Sequence, residues 1–472
     1  MRRGRRRKPF SRRTPRMPLS PFPFGHALAT AVMAGLLAAP AAAAQGEKKA
    51  RQPSGKKAQQ RKPVRAAAPA PLRDGDAERR LLEIYRLTAE GHARQALPLA
   101  ERLVRDHPNF QLAQLALGDL LAARARPVGR VGDVAMPPPA AAARPMPAQI
   151  PGISLASAAA APTPQALPPA AIDTLSDLRA ESRLRVDALK ARPPQGSIPA
   201  QFLELSARTR HAIAMDASRS RLYLFENTDK GLVLVADYYA SVGKLGTEKQ
   251  AEGDQRTPLG VYYITSRLDP ATLKDFYGAG ALPINYPNPL DLRRGKTGSG
   301  IWLHGTPPSQ FSRAPLATDG CLVLANPDLE RLLKTVEPRT TPVVIARELR
   351  WVKPQALQAE RQSFHDVLEA WRSAKSQGDT QRLLGFYAPE FQSHRNQDLQ
   401  QWSQALQAEA QALQGRAVAL KDKSVLRWTD SSDTMVVTFG EVTEGTRTGP
   451  VKRQYWTRKG ARWQIFFEGV IG

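Results

Sequence analysis

Residues 302–328 read WLHGTPPSQFSRAPLATDGCLVLANPD. They hold Cys321, the one cysteine of the chain, and His304, one of seven histidines, seventeen positions upstream. Gly320 precedes the cysteine and the apolar run Leu322-Val323-Leu324 follows it. A tight turn therefore delivers the thiol to the start of a buried segment. A thiol beside an imidazole can serve as a nucleophile with its base. A single cysteine is also a common core residue, so the flanking sequence has to decide. One cysteine rules out an internal disulfide framework and any multi-cysteine metal site. A Cys321/His304/Asp319 set has metal-binding atom types but no supporting pattern, so no metal and no organic cofactor is expected.

Outward from this stretch the composition is that of a β domain. Strands are predicted at 212–216 and 221–226, with another running up to Gly243. GDQRTPLGVYYI (253–264) turns at Thr257-Pro258 and leads into a further strand. LPINYPNPLD (282–291) reads as a long ordered loop. A short helix is expected over 327–336, and a last strand over 342–346 closes the domain near residue 350.

The four motifs GDQRTPLGVYYI, LPINYPNPLD, IWLHGTPP and TDGCLVLANPDL, in this order and spacing, resemble the L,D-transpeptidase catalytic domain, also called the YkuD domain. The likeness covers about 208–347, within a domain drawn at 208–350. It implies a mainly-β fold, a β-sandwich, with the cysteine on a loop facing the histidine. By position in the motif, Cys321 matches the nucleophile and His304 the proton donor and acceptor. Gly320 matches the small residue before the cysteine, and Thr318 stands where the family has Ser or Thr. Backbone N–H groups around Asp319–Cys321 are candidate oxyanion donors. Arg256, Tyr286, Asn288 and Trp302 are candidates to line the donor groove. Two positions depart from the family: Asp319 stands where histidine is usual, and Val323 where arginine is. An acid beside the thiol would raise its pKa, unless the carboxylate points away. The missing arginine removes a cation that could orient a donor carboxylate.

The rest of the chain points to a multidomain exported protein. At 472 residues the length suggests about three domains. Residues 1–44 combine an arginine-rich start with the apolar run ALATAVMAGLLAA at 27–39 and small residues before Gln45, which reads as a secretory signal peptide. Met17 is an alternative start, the Arg12-Arg13 pair invites a twin-arginine reading, and an uncleaved anchor is a further alternative. No cysteine stands directly after the apolar run, so lipoprotein anchoring is not expected. Residues 45–73 form a basic linker expected to be disordered. Residues 74–126 carry helical spacing that resembles one tetratricopeptide repeat (TPR) plus part of another, or a plain helical hairpin. One repeat cannot bury its own face, so a docked helix or partner chain is implied. Residues 127–207 form a Pro/Ala-rich linker with one short helix starting at an Asp173 cap. Residues 358–472 read as helices followed by antiparallel strands, an α+β unit that looks like a nuclear-transport-factor-2-like (NTF2-like) cone. Its second helix is predicted to start near Leu383 and end at Pro389.

The net charge of +25 implies polyanionic surroundings. Nine of the basic residues lie in the first 44, with no acid among them. Others sit in linkers, and no recognition motif is present, so nucleic acid is disfavoured. The resemblance implies peptidoglycan stem peptides as partners, with cell-wall or membrane proteins recruited through the TPR-like and C-terminal domains. It implies a location in the periplasm, with association at the inner membrane a further expectation. The implied reaction is acyl transfer through Cys321, ending in transpeptidation or, alternatively, in L,D-carboxypeptidase trimming. A reading of a different class is a non-catalytic cell-wall-binding scaffold.

Overall fold

The computed structural model describes residues 75–137, 169–430 and 433–471. The expected signal peptide, the basic linker and most of the Pro/Ala-rich stretch lie outside the described residues. Three helices come first: α1 (Asp76–Ala89), α2 (Ala93–Asp106) and α3 (Gln111–Ala125). Leu81, Ala96, Ala100, Leu103, Ala113 and Ala116 recur at three- and four-residue spacing and are fully buried together. Small residues at the crossings let the helices approach closely. A fourth helix, α4 (Pro169–Lys190), docks on this group. It begins upstream of Asp173, so that residue lies inside the helix and does not cap it. The TPR-like reading rests on sequence spacing alone; what the structure shows is a small four-helix unit.

The central domain is built on one continuous nine-stranded sheet that curls around its core; the separate sheets of a sandwich are not present. Its strands are β2 (His211–Asp216), β3 (Arg221–Thr228), β4 (Gly231–Gly243), β5 (Gly260–Tyr263), β6 (Ala281–Pro283), β7 (Trp302–His304), β8 (Leu316–Thr318), β9 (Leu322–Leu324) and β10 (Pro342–Ala346), after a short β1 (Phe202–Glu204) that belongs elsewhere. The order is β5-β10-β2-β3-β4-β9-β7-β6, with β8 alongside β4. Alternate residues point to opposite faces. Ile213 and Met215 of β2 face the inner core with Leu303, Leu322 and Leu324, whereas Ala212 and Ala214 face outward under a second apolar layer. Both faces are apolar because both are covered. The stretch 282–291 is more regular than a loop: Asn288 caps α5 (Pro289–Arg293) through a capping box with Asp291. Helix α6 (Asn326–Thr335) follows β9.

The second covering layer is the C-terminal domain. Helices α7 (Gln358–Ser376), α8 (Thr380–Leu384) and α9 (Leu399–Leu413) pack on one face of a sheet ordered β11-β15-β14-β13-β12-β1. Its strands are β11 (Tyr387–Ser393), β12 (Val418–Trp428), β13 (Thr434–Thr443), β14 (Val451–Lys459) and β15 (Arg462–Val470). On β13, Met435, Val437 and Phe439 face the helices and Val436 faces the central domain. The structure departs from the sequence expectation at two places. Tyr387 starts a strand and does not continue a helix, because Pro389 cannot donate to a helical ladder but is tolerated on a sheet-edge strand. Residues 202–204, assigned to the linker, form the edge strand β1, pairing Phe202 with Leu426 and Glu204 with Val425. Among the described residues no helix is long and apolar enough to cross a membrane.

The helical unit is joined to the central domain by a buried ion network. Arg185 of α4 contacts Glu78 at 2.7 Å and Glu181 at 2.6 Å, and Arg221 of β3 reaches the same Glu78 oxygen at 2.7 Å. Arg185 also lies 4.0 Å from the Tyr239 ring centroid. Beside it Phe110 stacks on Phe311 with centroids 4.2 Å apart. Burial pushes the Glu78 carboxyl up, but Arg221 and Arg185 outweigh it and hold it below the usual carboxylate range. Breaking such a network by removing one partner leaves a buried charge uncompensated. Arg185→Met is expected to destabilise the chain by about 3 kcal/mol or more, read as a lower urea midpoint for the helical and central domains. An unchanged midpoint would show that the network contributes nothing to docking.

Candidate active site

Strands β7 and β9 run parallel, with Leu303 opposite Leu322 and His304 opposite Val323. Parallel neighbours need a long connection between them, and here it is the loop and short strand between Gly305 and Gly320. The inward set, Leu303, Leu322 and Leu324, is buried in the core. Period-two alternation then sends Trp302 and His304, with Cys321 and Val323, to the other face. That is how two residues seventeen positions apart come to share one surface. Val323 is buried in register with His304.

Cys321 is partly exposed. Its Sγ lies 3.5 Å from the Gly300 carbonyl. Burial pushes the thiol pKa up; the Trp302 N–H and the Arg313 guanidinium pull it down, and Asp319 adds a smaller upward push. The Asp319 side chain is 71% exposed and turned to Lys244 Nζ at 3.3 Å and Gln255 Nε2 at 3.2 Å. It therefore points away from the thiol.

His304 Nδ1 is 2.7 Å from the Gly305 carbonyl oxygen. A carbonyl can only accept, so Nδ1 carries the proton and Nε2 presents a lone pair. Burial pushes the imidazole down to about 4, partly offset by the Gly305 carbonyl, with Arg313 pushing in the same direction as burial. At neutral pH the resting pair is thus thiol and neutral imidazole, and the proton moves only during attack.

The loops that hold these groups admit few alternatives. Gly320 has φ +125°, and a Cβ there would lie 2.7 Å from the Arg256 carbonyl oxygen. Thr318 Oγ1 donates to the Cys321 carbonyl at 2.8 Å and accepts from the Gly320 N–H at 3.1 Å. The Gly320 N–H, one of the candidate oxyanion donors, is therefore already engaged. Thr257 Oγ1 accepts from the Gly243 N–H and donates to the Gly320 carbonyl, both at 2.9 Å. It ties the end of β4 to the cysteine turn. Asn326 does the same for the histidine: Oδ1 accepts from Ala279 N at 2.9 Å and Thr306 N at 3.1 Å, and Nδ2 donates to Thr306 O at 2.8 Å. A Cβ on Gly305 would fall 2.0 Å from that Oδ1.

The expected groove residues divide. Trp302 lies on the site's face and packs against Tyr277, whose ring also meets His304 edge-on at 5.0 Å. Arg256 donates to the Thr247 carbonyl at 3.1 Å and buttresses its own loop. Tyr286 is buried against Tyr262, with its hydroxyl donating to Thr297 O at 3.0 Å. Asn288 is buried as the α5 cap and donates to Val261 O at 3.0 Å. Tyr286 and Asn288 are structural here, because their polar atoms are satisfied by backbone and turned into the fold. Thr257, Asn326 and Arg313 escaped the sequence reading; the first and second lie inside quoted motifs, and only their long-range partners reveal their work. Among the described residues no cluster of metal-ligating side chains is present.

The family model of the L,D-transpeptidase (YkuD) catalytic domain matches residues 210–345. That of the Cds6 C-terminal NTF2-like domain matches residues 363–469. Curated proteins return no match. Among solved structures, Bd1075 of Bdellovibrio bacteriovorus is similar at 26% identity and a TM-score of 0.50, over 58% of this chain and 98% of that one. The helical cell shape determining protein Pgp2 of Campylobacter jejuni is similar at 23% identity and a TM-score of 0.45, over 55% of this chain and 91% of that one.

Two outcomes are expected at this site. Gly320→Ala should abolish thiol-dependent activity while leaving the fold's circular dichroism intact, since the added methyl meets backbone. Alkylation of Cys321 by iodoacetamide should stay slow through pH 7 and rise about tenfold per pH unit above it, as befits a neutral thiol. A plateau starting near pH 4 would instead reveal a preformed thiolate–imidazolium pair. The chain carries an L,D-transpeptidase (YkuD) catalytic domain at residues 210–345, followed by a Cds6-type NTF2-like domain at residues 363–469.

Proposed function

We propose that this protein is a periplasmic cell-wall enzyme that cleaves and rejoins the peptide stems of peptidoglycan through an acyl-enzyme on Cys321. The observation that carries this reading is the placement of His304 at the end of β7 and Cys321 at the start of the neighbouring β9, with the Nε2 lone pair of a neutral imidazole left to accept a proton. The thiol attacks the carbonyl between the third and fourth stem residues and gives its proton to His304. The carbon–nitrogen bond then breaks, and the imidazolium protonates the departing D-alanine amine. An oxyanion forms on the attacked oxygen, and the Asp319 and Cys321 N–H groups of the turn are its proposed donors, the Gly320 N–H being held by Thr318 Oγ1. Such donors typically contribute a few kcal/mol. The chemistry uses only the chain's own groups and calls for no metal or organic cofactor.

Two fates are open to the thioester: an amine acceptor from a neighbouring stem gives a cross-link, and water gives a tripeptide. The cleft of about 570 Å³ beside the site, between α4 and the 307–317 loop, supports the first, because it offers room for a second peptide. Hydrolysis to the tripeptide is the alternative outcome of the same intermediate. The segment 1–44 is the proposed export signal.

Incubation of the purified protein with tetrapeptide muropeptides should yield cross-linked dimers and free D-alanine. Tripeptide monomers as the sole product would assign it as an L,D-carboxypeptidase. The variant Cys321→Ala should lose at least about a thousandfold in rate, the usual scale for a nucleophile. If that variant kept full activity in cell-wall assays, a binding scaffold would be the correct reading.

A further inference from the structure

Arg313 lies in the connection between His304 and Cys321, half-buried beside the cleft that faces α4. Its guanidinium carbon is 4.4 Å from the centroid of the Phe276 ring, and that ring is 5.7 Å from the imidazole of His304. Among the described residues it enters no ion pair. Asp319, the acid that would be its natural partner, is held by Lys244 and Gln255. The chain around it is tied at three successive residues, one through its side chain and two through their carbonyls. Ser312 Oγ donates to Glu181 at 2.8 Å, Tyr239 Oη donates to the Arg313 carbonyl at 2.8 Å, and Ser241 Oγ donates to the Ala314 carbonyl at 2.5 Å. Glu181 is itself locked by Arg185, so the docked helix α4 sets where Arg313 sits.

A guanidinium stacked on a ring by its face keeps its in-plane N–H groups free, and their fork matches a carboxylate. Partial burial without an anion is unfavourable, and a bound anion would relieve it. We propose that Arg313 binds the α-carboxylate of the amino acid on the leaving side of the scissile bond, so that the site selects peptides ending one residue beyond the attacked carbonyl.

This rests on the acyl-enzyme reading above and sharpens it. The leaving residue contributes the nitrogen of the scissile amide, and its carboxylate lies two bonds from that nitrogen. A further residue on the peptide would turn that carboxylate into a neutral amide and lose the contact. Attack by an acceptor is the reverse of departure: its amine gives a proton to His304 as the carbon–nitrogen bond forms and the carbon–sulfur bond breaks. An amine with an adjacent carboxylate would therefore enter over the same guanidinium. Arg313 thus serves both the group that leaves and the group that arrives.

The test is made on the full-length Cys321→Ala protein by calorimetric titration, so that binding is read without turnover. The ligands are a tetrapeptide stem with a free C-terminal carboxylate and the same stem as its C-terminal carboxamide. The carboxylate form should bind about 10- to 100-fold more tightly, the scale of a charge-assisted pair. Adding Arg313→Gln should remove that preference, with carboxamide affinity held within about twofold; Arg313→Lys should retain part of it. The melting temperature of each variant checks that the loop is still folded. Equal affinity for the two ligands, no binding of either, or a preference that survives Arg313→Gln would each overturn the proposal. If the preference is lost in Arg313→Gln yet the unaltered chain releases no D-alanine, the carboxylate site stands and the acyl-transfer reading fails.

Discussion

The pairing of β7 with β9 is the constraint on which the rest depends. Two parallel strands cannot be joined by a hairpin, so the chain must leave the sheet after His304 and return before Cys321. That one requirement explains the seventeen-residue spacing, the face shared by thiol and imidazole, and a long loop between them. The loop is then available for other work. It carries Phe311, which joins the helical unit, and Arg313, which faces the cleft beside the thiol. A hairpin would have brought the two reactive groups together with nothing between them.

The site's reactivity is set by desolvation more than by charge. Burial moves the imidazole down to about 4 and the thiol up, so both are neutral when the protein is at rest. Arg313 favours the thiolate and disfavours the imidazolium, so its two effects on a proton transfer from Cys321 to His304 oppose one another. Asp319, which looked unfavourable beside a nucleophile, is turned out to Lys244 and Gln255.

The helical unit and the C-terminal domain relate to this site in different ways. The C-terminal sheet covers the outer apolar face of the central sheet, with Trp428, Val436, Tyr455 and Phe466 against Tyr223, Phe225 and Val344. The helical unit instead reaches the active-site loop directly. Its Arg185–Glu78–Arg221 network and the Glu181–Ser312 hydrogen bond place charged groups in a desolvated interface, where geometry is strongly constrained. Docking of α4 and the shape of the cleft are consequently one structural matter.

Much of this was legible in the sequence because it depends on local pattern. The period-two strands 212–216 and 342–346, the turn glycine at Gly320, the α6 start after Leu324 and the rare Cys321 and His304 are all readable from neighbours along the chain. What the chain order hides is where distant segments meet. Residues 202–204 look like linker until they find β12, and Tyr387 looks helical until β15 offers a pairing edge. Tyr286 and Asn288 look like groove residues until the core claims them. The sequence by itself determined which groups are candidates to react, since a candidate nucleophile and base are matters of residue type and motif. Only the tertiary structure decided which cation attends them, because Arg313 is placed by α4 and β4 across the fold, and burial and orientation are properties of that packing.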